Sequence, residues 1–190
     1  METVILDHST PNENMKILFI GDIHIKMCNI RECEIFIQKI VTLSLERNPD
    51  IIIVGGDILD THERLHSTLL GVAESLIRQL RLIALTYILV GNHDYISNQE
   101  FLTNNHWMNG MKEWNNVIIV DRVIVFTKHD YKFILLPYVL PGRFIEALNT
   151  VNDEWKNANC IFAHQEFFGC KMGAIISEIG DKWSEDYPSV

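Results

Sequence analysis

Four times in this chain a short apolar run ends and a metal-competent side chain follows within four residues. KILFI (16–20) leads to Asp22 and His24, and IIIV (51–54) leads to Asp57. TYILV (86–90) leads to Asn92 and His93, and CIFA (160–163) leads to His164. The runs are continuous rather than alternating, which is the pattern of strands covered on both faces. Helical patterns separate the first three runs, so the strands they predict are parallel and joined by crossovers. Ligands of open α/β sheets collect just beyond the carboxyl ends of the strands. Four such ends carrying Asp, His, Asn and His therefore predict one polar cluster. Glycines precede three of the ends (Gly21, Gly55–Gly56 and Gly91) and suit tight turns there.

Between the runs, apolar residues at 33, 36, 37, 40 and 43 predict a helix over 31–47, with Pro49 just past its end. A second helix is predicted over 67–82. The second half changes character: VIIV (117–120), VIVF (123–126) and KFILLPY (132–138) are strands with very short connections, for which antiparallel pairing is expected. Pro141 suits the first turn of a further helix. The expected fold class is α/β, with two packed mixed β-sheets flanked by helices in a four-layer sandwich. Residues 1–15 read as an N-terminal extension and 16–190 as one domain.

Charge limits the partners. The formal net charge is −9, which disfavours a broad basic face for nucleic acid. Two divalent ions at a carboxylate cluster would make one spot locally positive, so a phosphate-bearing substrate stays compatible. No apolar run is long enough to span a bilayer. Residues 1–15 carry acids and no early basic residue, unlike a signal peptide. Cys28, Cys33, Cys160 and Cys170 form no CxxC pair and read as reduced thiols. An intracellular location, cytoplasmic or nuclear, is expected, with no membrane partner.

Carboxylate, amide and imidazole without thiolate fit manganese, iron or zinc better than a calcium cage or a cysteine site. Asp57, central in the set, would bridge two ions, and His93 beside Asn92 would protonate a leaving oxygen. Each residue also has a plainer role open to it. Asp22 or Asp57 alone suits a helix N-cap, His164 alone a hydrogen-bonded structural histidine, and Asn92 and Asp94 a turn. His8, His62, His66, His106 and His129 lie in polar or loop-like surroundings and read as structural.

GDIH, GGDILD, GNHD and AHQE, in that order, resemble the successive motifs of the calcineurin-like metallophosphoesterases. The resemblance runs from about residue 16 to the end. It implies two divalent metal ions, manganese first, with iron, zinc or magnesium as alternatives. Asp22 and His24 would bind the first metal, Asp57 would bridge, and Asn92 and His164 would bind the second. His93 matches the family's catalytic histidine, and Asp60 matches the acid that orients it.

The resemblance also narrows the ester. GGDILDTHERL lacks the arginine and glycine with which protein phosphatases continue this motif, although Arg64 is near. The helix after GGDILD, with TYILVGNHD, LLPY and AHQEF, looks more like the nuclease subunits of double-strand-break-repair complexes. Phosphodiester hydrolysis, with DNA as the leading substrate, is the expectation. A phosphomonoesterase and a catalytically impaired binding module on the same scaffold are the alternatives. QEFFGCKMGAII (165–176) is a candidate substrate loop: Phe167 and Phe168 would stack on a base, or, the favoured alternative, pack the loop onto the sheet. The family's fifth motif, GHxH, does not occur in the 190 residues. Its absence predicts vacant metal positions and an open sheet edge, to be completed by further polypeptide or a second chain.

Overall fold

The computed structural model describes residues 15–60, 66–172 and 175–188; His8, His62 and Arg64 lie outside them. In chain order its elements are β1 (Ile17–Ile20), α1 (Ile30–Arg47), β2 (Ile51–Val54), α2 (Ser67–Leu80) and β3 (Leu85–Leu89). A 3₁₀ segment (Trp107–Glu113), β4 (Val117–Val120), β5 (Ile124–Lys128) and β6 (Tyr131–Leu136) follow. Then come α3 (Phe144–Leu148), a second 3₁₀ segment (Asn149–Asn157), β7 (Cys160–Ala163) and the hairpin β8 (Lys171–Met172) and β9 (Ile175–Ile176).

Two packed sheets flanked by helices form the core, as expected. The first sheet has the order β1-β2-β3-β4 and is parallel throughout rather than mixed. The second has the order β5-β6-β7 and is mixed, with β5 antiparallel and β7 parallel to β6. The antiparallel meander expected over 117–138 is therefore half right. The long connection from β3, carrying the first 3₁₀ segment, returns the chain in the same direction, so β4 pairs parallel to β3. Residues 121–123 do not turn a hairpin; they carry the chain from one sheet to the other. The β5–β6 turn is a true two-residue hairpin, with His129 and Asp130 both at positive φ (49° and 66°).

Strand alternation assigns the layers. Ile52, Val54 and Ile88 pack with Leu76, Ile77 and Leu80 of α2 and with Ile37 of α1. Ile51, Ile53, Tyr87 and Leu89 face the opposite way, against Phe126, Phe133 and Leu135 of the second sheet. Ile134, Leu136 and Ile161 cover Phe144, Ala147 and Leu148 of α3. All four residues of β2 are fully buried, which explains its unbroken IIIV. Each such side chain contributes about 1.5–3 kcal/mol of burial.

The registers Ile20↔Val54 and Val54↔Ile88 bring β1, β2 and β3 to an end at one level. Their following loops therefore leave the sheet side by side. β1 and β7 are outer strands. On that margin Phe19 stacks on Phe162 at 5.9 Å and is still 49% exposed. His66 and His106 cap α2 and the first 3₁₀ segment, accepting from Thr68 N and Met108 N, both at 3.2 Å. Among the described residues, no helix is long and apolar enough to cross a membrane.

Candidate metal centre

The loops after β1 and β2 are zipped together. His24 N donates to Asp57 O (3.0 Å), Ile25 N donates to Ile58 O (2.8 Å), and Ile25 and Leu59 form a parallel bridge. His24 and Asp57 themselves adopt left-handed backbone, with φ of 48° and 47°. Asp and His tolerate that region better than most residues, yet such strain costs about 1–3 kcal/mol per residue and clusters at functional sites. The loop after β3 passes directly against Asp57. A Cβ on Gly91 would run into the Asp57 carboxylate and backbone nitrogen, so only glycine allows the approach.

Asp57 is the hub, and its two carboxylate oxygens have separate work. Oδ1 accepts from the backbone N–H of His93 at 2.8 Å. Oδ2 lies 3.6 Å from His24 Nε2, 3.5 Å from His164 Nε2 and 3.9 Å from His93 Nε2. His164 Nε2 is also 3.0 Å from Asn92 Oδ1, and Asp22 Oδ1 approaches His164 Nδ1 at 3.7 Å. The fold thus gathers Asp22, His24, Asp57, Asn92, His93 and His164 from four strand ends in two sheets. Asp22, with its side chain 56% exposed, sits on the His164 side of the group.

Two of the imidazoles are held from behind. His164 Nδ1 is 2.7 Å from Gly55 O, and His93 Nδ1 is 2.7 Å from Asp60 O. A carbonyl oxygen only accepts, so both Nδ1 atoms donate and both Nε2 atoms point into the cluster. That is how metal-binding histidines are usually oriented. Asp60 was expected to steer His93 through its carboxylate, and here it does so through its backbone carbonyl. The carboxylate turns instead to His24 Nδ1 (3.2 Å) and Lys26 Nζ (3.3 Å).

Asp60 Oδ1 is close to His24 Nδ1 but out of line for an N–H bond, and Nδ1 is buried without a hydrogen-bond partner. The imidazole, carboxylate and amide groups gathered around Asp57 Oδ2 are a donor set that fits a bound cation. His24, Asp57 and His93 each offer a ligand atom, all within 4.8 Å of one another. Without thiolates, the set is suited to a divalent ion of the manganese, iron or zinc type.

The electrostatics agree with the geometry. Burial works against ionisation of Asp57. The hydrogen bond and charge of His164, with the His93 N–H, outweigh it and hold the carboxyl below its usual range. Burial likewise disfavours the charged His164, but its pairing with Asp57 pushes it up to about 9. The ring therefore holds a proton that a bound metal ion would displace.

Asp94, read from sequence as a turn former, is a buried clamp. Its Oδ2 accepts from Gly91 N (3.1 Å) and its Oδ1 from Trp107 Nε1 (3.0 Å), fixing the loop that carries Asn92 and His93. Its position right after GNH was the available signal. Tyr138, at the end of β6, lays its ring edge-on to His164 at 6.2 Å, and sequence reading did not single it out. In the candidate substrate loop, Phe167 packs inward as the favoured alternative has it, but against Phe144 of α3 (5.2 Å) and Trp183 (5.5 Å) rather than onto the sheet. Phe168 is 58% exposed.

A four-layer α/β sandwich with an Asp/His/Asn cluster at the carboxyl ends of its strands defines a metallophosphoesterase-type domain. The profile of the calcineurin-like phosphoesterase family matches residues 15–181, and the chain belongs to that family. It is 55% identical over 179 residues to "Putative phosphoesterase 244L" of Invertebrate iridescent virus 6, covering 94% of this chain and 63% of that protein. It is 53% identical over 186 residues to "Putative phosphoesterase 078R" of Invertebrate iridescent virus 3, covering 96% of this chain and 53% of that protein. The chain thus spans between about half and two thirds of the length of these curated relatives.

Proposed function

We propose that this domain hydrolyses phosphodiesters with two divalent metal ions, manganese first among them, and that a nucleic-acid strand, DNA above all, is its substrate. One observation carries the reading: three imidazole Nε2 atoms converge within 3.5–3.9 Å of one oxygen of Asp57, Oδ2. In this reading Asp22, His24 and Asp57 hold one ion, and Asp57, Asn92 and His164 hold the other. The ions, when bound, supply Lewis acidity and an activated water.

The chain's own residues do the rest. Gly55 O and Asp60 O fix the His164 and His93 rings with Nε2 inward. His93 Nε2 faces the place where a leaving oxygen would sit and delivers a proton to it. Asp60, bonded to Lys26 through its carboxylate and lying 3.2 Å from His24 Nδ1, holds the proton donor through its carbonyl. Further polypeptide on the β1/β7 margin, or a second chain, belongs to the same reading, since Phe19 is half exposed there. An intracellular setting belongs to it too, in keeping with four free cysteines.

The test is manganese-stimulated hydrolysis of a chromogenic phosphodiester, run beside the matching monoester. His93→Ala should lower diester turnover by about 100-fold or more. Turnover that ignores metal, or a preference for the monoester, would overturn the reading.

A further inference from the structure

The loop after β4 opens on the same rim as the loops that carry the metal-type cluster. Val90 N donates to Val120 O at 3.1 Å, which holds the ends of β3 and β4 side by side. Tyr95, two residues beyond His93, forms an antiparallel bridge with His106, and Ile96 N donates to Asn105 O at 3.0 Å. Beyond that bridge lies a polar recess of about 420 Å³, lined by Leu102, Thr103, Asn104, Lys112, Asp121 and Arg122. A larger recess of about 510 Å³ is lined only by α1 residues such as Gln38, Lys39 and Thr42, far from these loops in the fold.

The recess at β4 presents an exposed arginine in an otherwise acidic protein. Asp121 is almost wholly buried and already taken: Lys112 Nζ lies at 2.5 Å, His106 Nε2 at 3.4 Å and Arg122 Nε at 3.4 Å. His106 Nδ1 accepts from Met108 N, and its Nε2 faces Asp121 Oδ2. Lys112 and Arg122 both face Asp121, while Glu100, which accepts from Asn105 Nδ2 at 3.2 Å, adds a negative charge beside the recess. Only Nε of Arg122 is engaged; the side chain is 74% exposed and its terminal nitrogens are free for an anion. Thr103 Oγ1 accepts from Asn105 N, leaving its hydroxyl proton to donate. Leu102 is held at φ 46°, an uncommon conformation for a bulky side chain, in the wall of this recess.

We infer that the recess, through Arg122, binds a backbone phosphate of a nucleic-acid strand whose scissile ester lies at the Asp57 cluster. The inference rests on the phosphodiesterase reading and names its substrate as a polyanionic strand rather than a small diester. β4 lies two strand spacings from β2, roughly 10 Å. The contacted phosphate is therefore close along the strand to the reacting one.

The probe is a fluorescein-labelled 12-mer DNA, with binding followed by anisotropy across a salt series for the wild type, Arg122→Ala and Arg122→Glu. Chromogenic diester turnover and thermal midpoint are measured in parallel. Loss of one charge-assisted contact should weaken 12-mer binding about tenfold and reduce the magnitude of the salt slope by about 1. Diester turnover should stay as in the wild type, because Arg122 touches no metal-type ligand; the thermal midpoint, lowered by loss of the Arg122–Asp121 contact, shows that the variants remain folded. Unchanged 12-mer affinity and salt slope in both variants overturn the inference, as does equal loss on the 12-mer and the small diester. If the wild type hydrolyses no diester yet binds the 12-mer through Arg122, the phosphate site stands and the catalytic reading falls.

Discussion

Gly56→Ala tests how tightly the centre is built. Gly56 has φ of 100°, and a Cβ there would lie 2.7 Å from His164 Nδ1 and 2.9 Å from Gly91 N. Neither neighbour can give way cheaply. The His164 ring is pinned by Gly55 O on one side and Asn92 Oδ1 on the other, at 2.7 and 3.0 Å. Gly91 is itself pressed against Asp57. The backbone strain of a side chain at such φ costs about 1–2 kcal/mol. Displacing His164 forfeits a buried hydrogen bond worth roughly 1 kcal/mol more. A total of about 2–3 kcal/mol corresponds to roughly 4–12 °C in the thermal midpoint of a chain of this size. Because the ring that moves belongs to the candidate ligand set, metal affinity should also fall, by about 10–100-fold. Calorimetric manganese titration and thermal melts of the metal-free protein read the two effects separately. Gly21→Ala is the control: nothing lies within 4 Å of its Cβ, and it should change stability by no more than about 0.5 kcal/mol. If Gly56→Ala melts and binds metal like the wild type, or if Gly21→Ala is equally damaging, the packing account is wrong.

Three further outcomes are expected. Asp94→Ala leaves the Gly91 and Trp107 donors unpaired in a buried site, and should cost about 2–4 kcal/mol in urea unfolding with an unchanged m-value. Burial opposes ionisation of Asp121, but its hydrogen bonds to His106 and Lys112 and the charges of Lys112 and Arg122 depress its pKa well below normal. Its contribution is therefore complete above the ordinary carboxylate value of about 3.9 and is lost as pH falls below it. Melts from pH 6 to pH 2 should show an acid limb that Asp121→Asn flattens. Manganese at about 100 times its dissociation constant should stabilise the protein by about 2.7 kcal/mol, and a chelator should reverse the shift in the melt. His164→Ala should abolish most of that gain.

The strand ends were legible because two demands coincide in them. IIIV had to be continuous, since β2 is buried on both faces, and its chemistry had to follow at once, since the sheet ends there. Helix α2 was legible from its apolar stripe, because Ala73, Leu76, Ile77 and Leu80 share one face. The sheet switch at residues 121–123 was not, because a three-residue link suits a hairpin as well as a crossing. What decides is the direction in which the preceding 90–116 connection delivers β4. The helix after Pro141 stops at Leu148, and Asn152 breaks the following 3₁₀ segment with φ of 56°, a local kink no periodicity announces. In the candidate site the residue types were readable and the partners were not. Asp60 faces His93 with its carbonyl rather than its carboxylate because of the backbone path after β2, which the letters GGDILD do not encode.

The hydrogen bond from His164 to Gly55 joins residues 109 positions apart. Consider the chain as it leaves a ribosome. β1, β2 and β3, with the two helices between them, can dock as soon as about residue 95 is free, and they already carry Asp22, His24, Asp57, Asn92 and His93. The last imidazole arrives only after the second sheet has been made and has packed face to face with the first. Closing so long a loop is paid in entropy before any contact repays it. His164 therefore joins the cluster only through the docking of the two sheets, and its arrival reports that they have packed.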